Sequence, residues 1–216
     1  ALKRNSDDRR QVLSIWSGEI DPVVAEQGGK DLPCNLIATF QIGVDGRLDM
    51  VVFNRSNDLI WGAYGANAVH FSMMQEYIAA IAGVPVGFYT QVSANTHIYE
   101  KHWPLMETFA AKAQMPGDSV EDPYLWNRVE PSQLVWAQDH EQFDRGVGVV
   151  ERWMDGGDLD EDQSNGFIRS TVIPLIRAWN CYKAKLHDKA MEHVYKLPER
   201  SDWRIACEQW LMRRKK

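Results

Sequence analysis

The sequence predicts an α/β (α+β) fold in which a mixed sheet packs on a central helix and a helical C-terminal extension follows. Three observations carry this expectation. Residues 36–42 and 48–53 are apolar, strand-like runs separated by a segment holding Asp45-Gly46, and Asp-Gly between two such runs marks a hairpin turn. Residues 66–82 carry Val69, Met73, Tyr77, Ile78 and Ile81 near helical spacing, with Gly83 and Pro85 as a stop. Past Met115-Pro116-Gly117 the pattern changes, first to a proline-punctuated stretch and then to helical periodicity. The chain therefore divides into a core, 1–115, and a loop-rich connection with an α-helical extension, 116–216.

Taken in order, residues 11–16 (Gln-Val-Leu-Ser-Ile-Trp) alternate apolar and polar and read as a short strand, with Arg9 and Arg10 at its start. The polar residues 18–32, with Gly28-Gly29, read as a loop or short helix that delivers Pro33 and Cys34. The hairpin follows. Cys34 stands just before its first strand and Arg55 just after its second, so an antiparallel pairing brings both to one end of the sheet. The central helix begins near Asn67. Residues 84–99 read as one further strand, which would set His97 and Tyr99 on a common face because they are two apart. Residues 100–113 form an amphipathic helix. Pro116, Pro123 and Pro131, with Tyr124, Trp126 and Trp136, mark the connection, and residues 142–154 are helical. An acidic linker, 155–163, leads to two helical segments, 168–197 and 202–214, broken at Leu197-Pro198.

Composition narrows the function classes. A net charge of −6 and a pI near 5.5 speak against a nucleic-acid partner, because duplex binding draws on broad basic surface. No apolar run approaches the roughly 20 residues of a membrane span, so the expectation is a cytoplasmic protein with no membrane partner. Cys34, Cys181 and Cys207 show no C-x-x-C spacing, and neither a disulfide framework nor a metal site is expected. His70 and Met73-Met74 read as helix packing, and Cys181 and Cys207 as buried thiols of the extension. The polar run at residues 3–10, which leads at once into an apolar strand, gives the expectation that the core lacks its N-terminal part.

The chemistry gathers between Pro33 and Tyr99. A cysteine becomes a useful nucleophile where a neighbouring cation favours its thiolate, and a guanidinium at the same sheet end does that. The ordered islands Pro33-Cys34, Arg55-Ser56-Asn57-Asp58, Gly62, Asn67 and His97-Ile98-Tyr99, with Arg9-Arg10 ahead of a strand, resemble the thymidylate synthase and pyrimidine nucleotide hydroxymethylase family. The likeness covers about half of the chain, from near Asn5 to near Trp103.

What the resemblance implies falls on individual positions. Cys34 would add to C6 of a pyrimidine nucleoside monophosphate and turn C5 into a carbon nucleophile toward 5,10-methylenetetrahydrofolate, a reduced folate co-substrate. Arg55 and Ser56 would bind the phosphate. Arg9 and Arg10 would reach the phosphate of the other subunit, which implies a homodimer with shared sites. His97 and Tyr99 would hold the sugar hydroxyl, and Asp58 would lie along the base and folate side. Asn67 would read the base edge, where asparagine favours dUMP over dCMP or CMP, although Ala66 could take that position. Asn35, where synthases carry histidine after the cysteine, and a helical C-terminus in place of a closing segment favour a nucleotide 5-hydroxymethylase. The alternatives are thymidylate synthase itself, with hydride instead of water as final acceptor, and a non-catalytic nucleotide-binding or assembly protein that keeps the phosphate site.

Overall fold

A computed structural model describes residues 1–113, 124, 128–136 and 139–215. The breaks expected at Pro116 and Pro123, and the aromatic Trp126, lie outside the described residues. The chain forms two compact units, 1–115 and 116–216.

The first unit is built on a four-stranded sheet of order β1-β2-β3-β5, where β1 is Gln11–Ser14, β2 Asn35–Ile42, β3 Leu48–Asn54 and β5 Val86–Ser93. The hairpin is as expected: β2 pairs antiparallel with β3, and β1 adds antiparallel on the other side of β2. A short helix α1, Asp21–Glu26, occupies the segment before Cys34. The central helix α2, Asn67–Ala82, carries the chain across one face of the sheet so that β5 runs parallel to β3. It stops at Gly83, whose φ of 78° is a left-handed cap conformation that a residue with a Cβ enters only at a cost of roughly 1 kcal/mol.

The core lies between α2 and the inward residues of β2 and β3. Ala38, Leu48, Met50 and Val52 are essentially sealed from solvent against Phe71 and Ala79 of the helix, and burial of each larger side chain is worth about 1.5–3 kcal/mol. The buried face of α2 differs from the expected one. Phe71, Gln75 and Ala79 point inward with Met74 and Ile78 beside them, while Val69 is 43% exposed. Apolar spacing alone does not tell the two stripes apart when both carry apolar residues. Gln75 is fully buried and donates to Leu48 O (2.7 Å) and Phe88 O (3.0 Å), tying β3 to β5 where their register shifts. The opposite face of the sheet carries Ile37, Phe53 and Val92 in one row and Val12, Thr39 and Val51 in the next.

Residues 84–99 are not one strand. β5 ends at Ser93, a bend follows at Ala94-Asn95, and a two-residue strand β6, Thr96–His97, pairs parallel with β4, Asn57–Asp58. Tyr99 falls beyond it. A wide π-helical turn, Leu59–Ala66, joins β4 to α2, and α3, Trp103–Ala113, closes the described part of the unit.

The second unit is helical. It contains α4, His140–Met154, α5, Ile173–Lys183, α6, His187–Val194, and α7, Asp202–Met212. The single helix expected over 168–197 is split: a π-helical turn, Ile168–Val172, feeds α5, and the chain turns at Lys185 before α6. Lys185 has φ 61°, and its N–H reaches Tyr182 O while the Leu186 N–H reaches Cys181 O. That pair of bonds is a Schellman closure. Trp179, Tyr182 and Trp210 pack ring on ring between α5 and α7. Cys181 and Cys207 are half-buried at this cluster, and burial pushes the Cys207 thiol up.

Candidate active site

The two strand ends of the hairpin build the first wall. Arg55 follows β3, and its backbone N–H bonds Cys34 O at 2.9 Å, which continues the β2–β3 pairing by one residue. Its side chain turns back on the same segment: Nε donates to Pro33 O (3.0 Å), Nη2 reaches Leu32 O (3.4 Å), and the guanidinium lies 5.7 Å from the Trp16 ring centre. The guanidinium is thereby fixed in direction by the loop that carries the thiol, and Nη1 is left for a ligand. Cys34 is exposed.

The pairing of β4 with β6 builds the second wall. It sets Asp58 beside His97, and Ser56 Oγ lies 3.4 Å from His97 Nδ1. The His97 and Tyr99 rings meet edge to face at 5.2 Å, so the expected adjacency holds although Tyr99 is outside any strand. Lys101 Nζ sits 5.6 Å over the Tyr99 ring. Asp58 caps the wide turn through Oδ1, which accepts from the Trp61 N–H, while Oδ2 is buried without a hydrogen-bond partner among the described residues. A buried carboxylate oxygen with nothing to accept from is costly unless a donor arrives.

The floor consists of amides. Asn67, the first residue of α2, donates through Nδ2 to Asn57 Oδ1 at 3.0 Å. Asn57 donates in turn to Gln91 Oε1 (3.0 Å) and Ser93 Oγ (3.1 Å). On the other side, Asn35 donates to Asn54 Oδ1 at 2.6 Å and Asn54 reaches Ser93 Oγ at 3.3 Å. Behind Asn67, Tyr89 donates to its backbone oxygen, and burial pushes the phenol up to about 12. Gly62 leaves room for the Asn57–Asn67 bond: a Cβ there would stand within 2.3 Å of Asn57 Oδ1.

Cys34, Arg55, Ser56, Asp58, Asn67, His97 and Tyr99 thus line one cleft of about 790 Å³, a size suited to a small-molecule ligand. Ala66 lines it as well. Arg9 and Arg10 do not reach its walls. Arg9 is exposed, and Arg10 is engaged with Asp8 at 2.9 Å, a bond that pulls the Asp8 carboxyl down to about 2. The sequence motifs include Asn57 but assign it no role, and they leave out Gln91, Trp61, Lys101 and His102. For Asn57 and Gln91 a signal existed: each is polar at an inward strand position. Lys101 and His102 carried none, because they lie in a helical turn, Glu100–His102, whose direction only the fold sets.

The cleft thus brings together an exposed thiol, an oriented guanidinium, an amide floor and a histidine–tyrosine wall. The thymidylate synthase family model matches residues 1–131, more than half of the chain. The chain belongs to the thymidylate synthase family. It is 43% identical over its whole length to a deoxyuridylate hydroxymethyltransferase of Pseudomonas phage M6, covering 60% of that protein. It is 41% identical over 45% of its length to a deoxyuridylate hydroxymethyltransferase of Bacillus phage SP01, covering 25% of that protein. A putative thymidylate synthase of Methanosarcina barkeri is 33% identical over 49% of the chain and 46% of its own length. The chain spans less than two thirds of each.

Proposed function

We propose that this chain carries the pyrimidine-binding and nucleophilic part of a nucleotide 5-hydroxymethylase that takes dUMP and 5,10-methylenetetrahydrofolate. The observation that carries the reading is the direct bonding of Arg55 to the Cys34 segment, in a cleft also lined by Asn67, His97 and Tyr99. The Cys34 sulfur adds to C6, and the displaced π electrons make C5 nucleophilic. C5 bonds to the one-carbon unit, loses its proton, and expels tetrahydrofolate to leave an exocyclic methylene. Water adds to that methylene as the Cys34–C6 bond breaks, which frees the thiol group and the 5-hydroxymethyl nucleotide.

Around these steps the residues bind and orient. Arg55 offers Nη1 to the phosphate and Ser56 its hydroxyl, while His97 and Tyr99 face the sugar hydroxyl. Asn67 reads the base, and its place at the amide floor favours it over Ala66. The orphaned Oδ2 of Asp58 fits the N–H-rich edge of a reduced pterin. That both phage relatives are deoxyuridylate hydroxymethyltransferases supports water over hydride as final acceptor, as does the identity with the M6 protein across the helical unit.

A homodimer completes the reading. The open sheet face carries Val12, Ile37, Phe53 and Val92, with Val12 58% and Val92 45% exposed, and apolar rows of that kind mark association surfaces. Arg9, exposed and outside its own cleft, is then free to serve the partner's phosphate, and Arg10 would do so with Nη1 while Nε and Nη2 hold Asp8.

The test is mass spectrometry of products after incubation of the intact protein with methylenetetrahydrofolate and dUMP, dCMP or CMP in parallel. Gain of a hydroxymethyl group on dUMP, reduced about 10³-fold or more in Cys34→Ser, is the expected result. Gain of a methyl group with dihydrofolate would make the chain a synthase, and nucleotide binding without product would make it a binding protein.

A further inference from the structure

The orientation of the Asn67 amide is fixed from outside the base site, and the order of bonds says how. Gln91 Nε2 donates to Ala63 O at 2.8 Å. A backbone carbonyl only accepts, so the Gln91 amino group must face it and Oε1 must face away. Oε1 then meets Asn57 at 3.0 Å, and two carbonyl oxygens at that distance would repel, so Asn57 turns Nδ2 to Gln91 and Oδ1 to Asn67. The same constraint makes Asn67 turn Nδ2 toward Asn57. Three side-chain amides are thus read off one backbone oxygen. Asn57 is 3% exposed, so water is not at hand to relax the order.

We infer that Gln91 and Asn57 form a positioning relay that sets uracil against cytosine selection at Asn67. The inference rests on the proposed pyrimidine site. With Nδ2 held toward Asn57, Asn67 offers Oδ1 and its second N–H to a base in one fixed order. Uracil answers with N3–H and O4, one donor and one acceptor. Cytosine in the same pose places its amino group against the Asn67 N–H and the N3 lone pair against Oδ1. An amide that could flip would accept either base, and the relay removes the flip. Gln91 stands outside the lining of the cleft, and Asn57, which lines it, spends its amide on Gln91, Ser93 and Asn67.

The test compares dUMP and dCMP affinity by calorimetry on the intact protein, with KM and kcat for dUMP alongside. Gln91→Met keeps the length and shape of the side chain but removes both polar ends, so Asn57 and Asn67 can turn together. The preference for dUMP is expected to fall 10-fold or more, with a higher KM and little change in kcat. Gln91→Glu, assayed at a pH low enough to protonate the oxygen facing Ala63 O, still donates to that carbonyl and presents an acceptor to Asn57, and is expected to keep most of the preference, which loss of packing alone would not predict. Asn57→Leu removes the acceptor for Asn67 and serves if Gln91→Met does not fold; its preference should fall likewise. An unchanged dUMP to dCMP ratio in Gln91→Met or Asn57→Leu overturns the relay and leaves the proposed function standing. A wild-type protein that binds neither nucleotide overturns the pyrimidine reading and the relay with it, and one that binds both alike overturns the relay alone.

Discussion

Gly62 shows how little room the site allows. An added Cβ would lie 2.3 Å from Asn57 Oδ1 and 3.2 Å from Asn67 Nδ2, so Gly62→Ala must displace one of the two amides. Overpacking of this kind costs about 1–3 kcal/mol, and misplacing a positioning group weakens binding further. Urea denaturation should show that loss, and a dUMP titration should show affinity reduced roughly 10-fold. Some of this was legible in the sequence. Cys34 and Arg55 come together from hairpin topology alone, because one precedes the first strand and the other follows the second. What stayed hidden at this scale was direction. Whether Arg55 points at solvent or at the Pro33 carbonyl, and which end of each amide faces its neighbour, depends on backbone oxygens whose positions only the folded chain supplies.

Among the elements, the sequence marked β1, the hairpin, α2, α4 and α7, since each has a clear period or a glycine or proline boundary. It joined α5 to α6 because no such residue separates them. The turn is made by Lys185, a side-chain-bearing residue in the left-handed region at φ 61°, and no local signal announces it. Lys185→Gly removes the contact between Cβ and carbonyl that disfavours this region. It should raise stability by roughly 0.5–1 kcal/mol after the added freedom of the unfolded glycine is counted. Chemical denaturation followed by far-UV circular dichroism measures it, and a destabilised variant would mean the lysine side chain makes contacts that outweigh the strain. The bend after Ser93 escaped notice for a similar reason. Ala94-Asn95 is a weak turn signal, and the pairing that starts β6 comes from Asn57 and Asp58, far away in sequence.

At the scale of the whole molecule the proposed homodimer makes a numerical prediction. Under that reading Cys34→Ser subunits lack the nucleophile, and subunits with Arg9→Ala and Arg10→Ala lack the phosphate donors owed to a partner. Mixed in equal amounts after dissociation, random pairing should restore about a quarter of wild-type activity per dimer, since half the dimers are mixed and each has one complete site. Absence of recovery in proven mixed dimers would return Arg9 and Arg10 to solvent. The bond between Gln75 and two strands bears on something else, the order in which the first unit assembles. β5 cannot find β3 by a tight turn, because the crossover between them includes the wide turn and all of α2, and closing such a loop precedes any gain from pairing. Gln75 reaches Leu48 O and Phe88 O only when helix and both strands are in place. Completion of the sheet and docking of the helix are therefore one event, and the amide floor, which needs Ser93 and Gln91 from β5, comes into being with it. A chain arrested before that event holds Cys34 and Arg55 side by side with no amide floor beneath them.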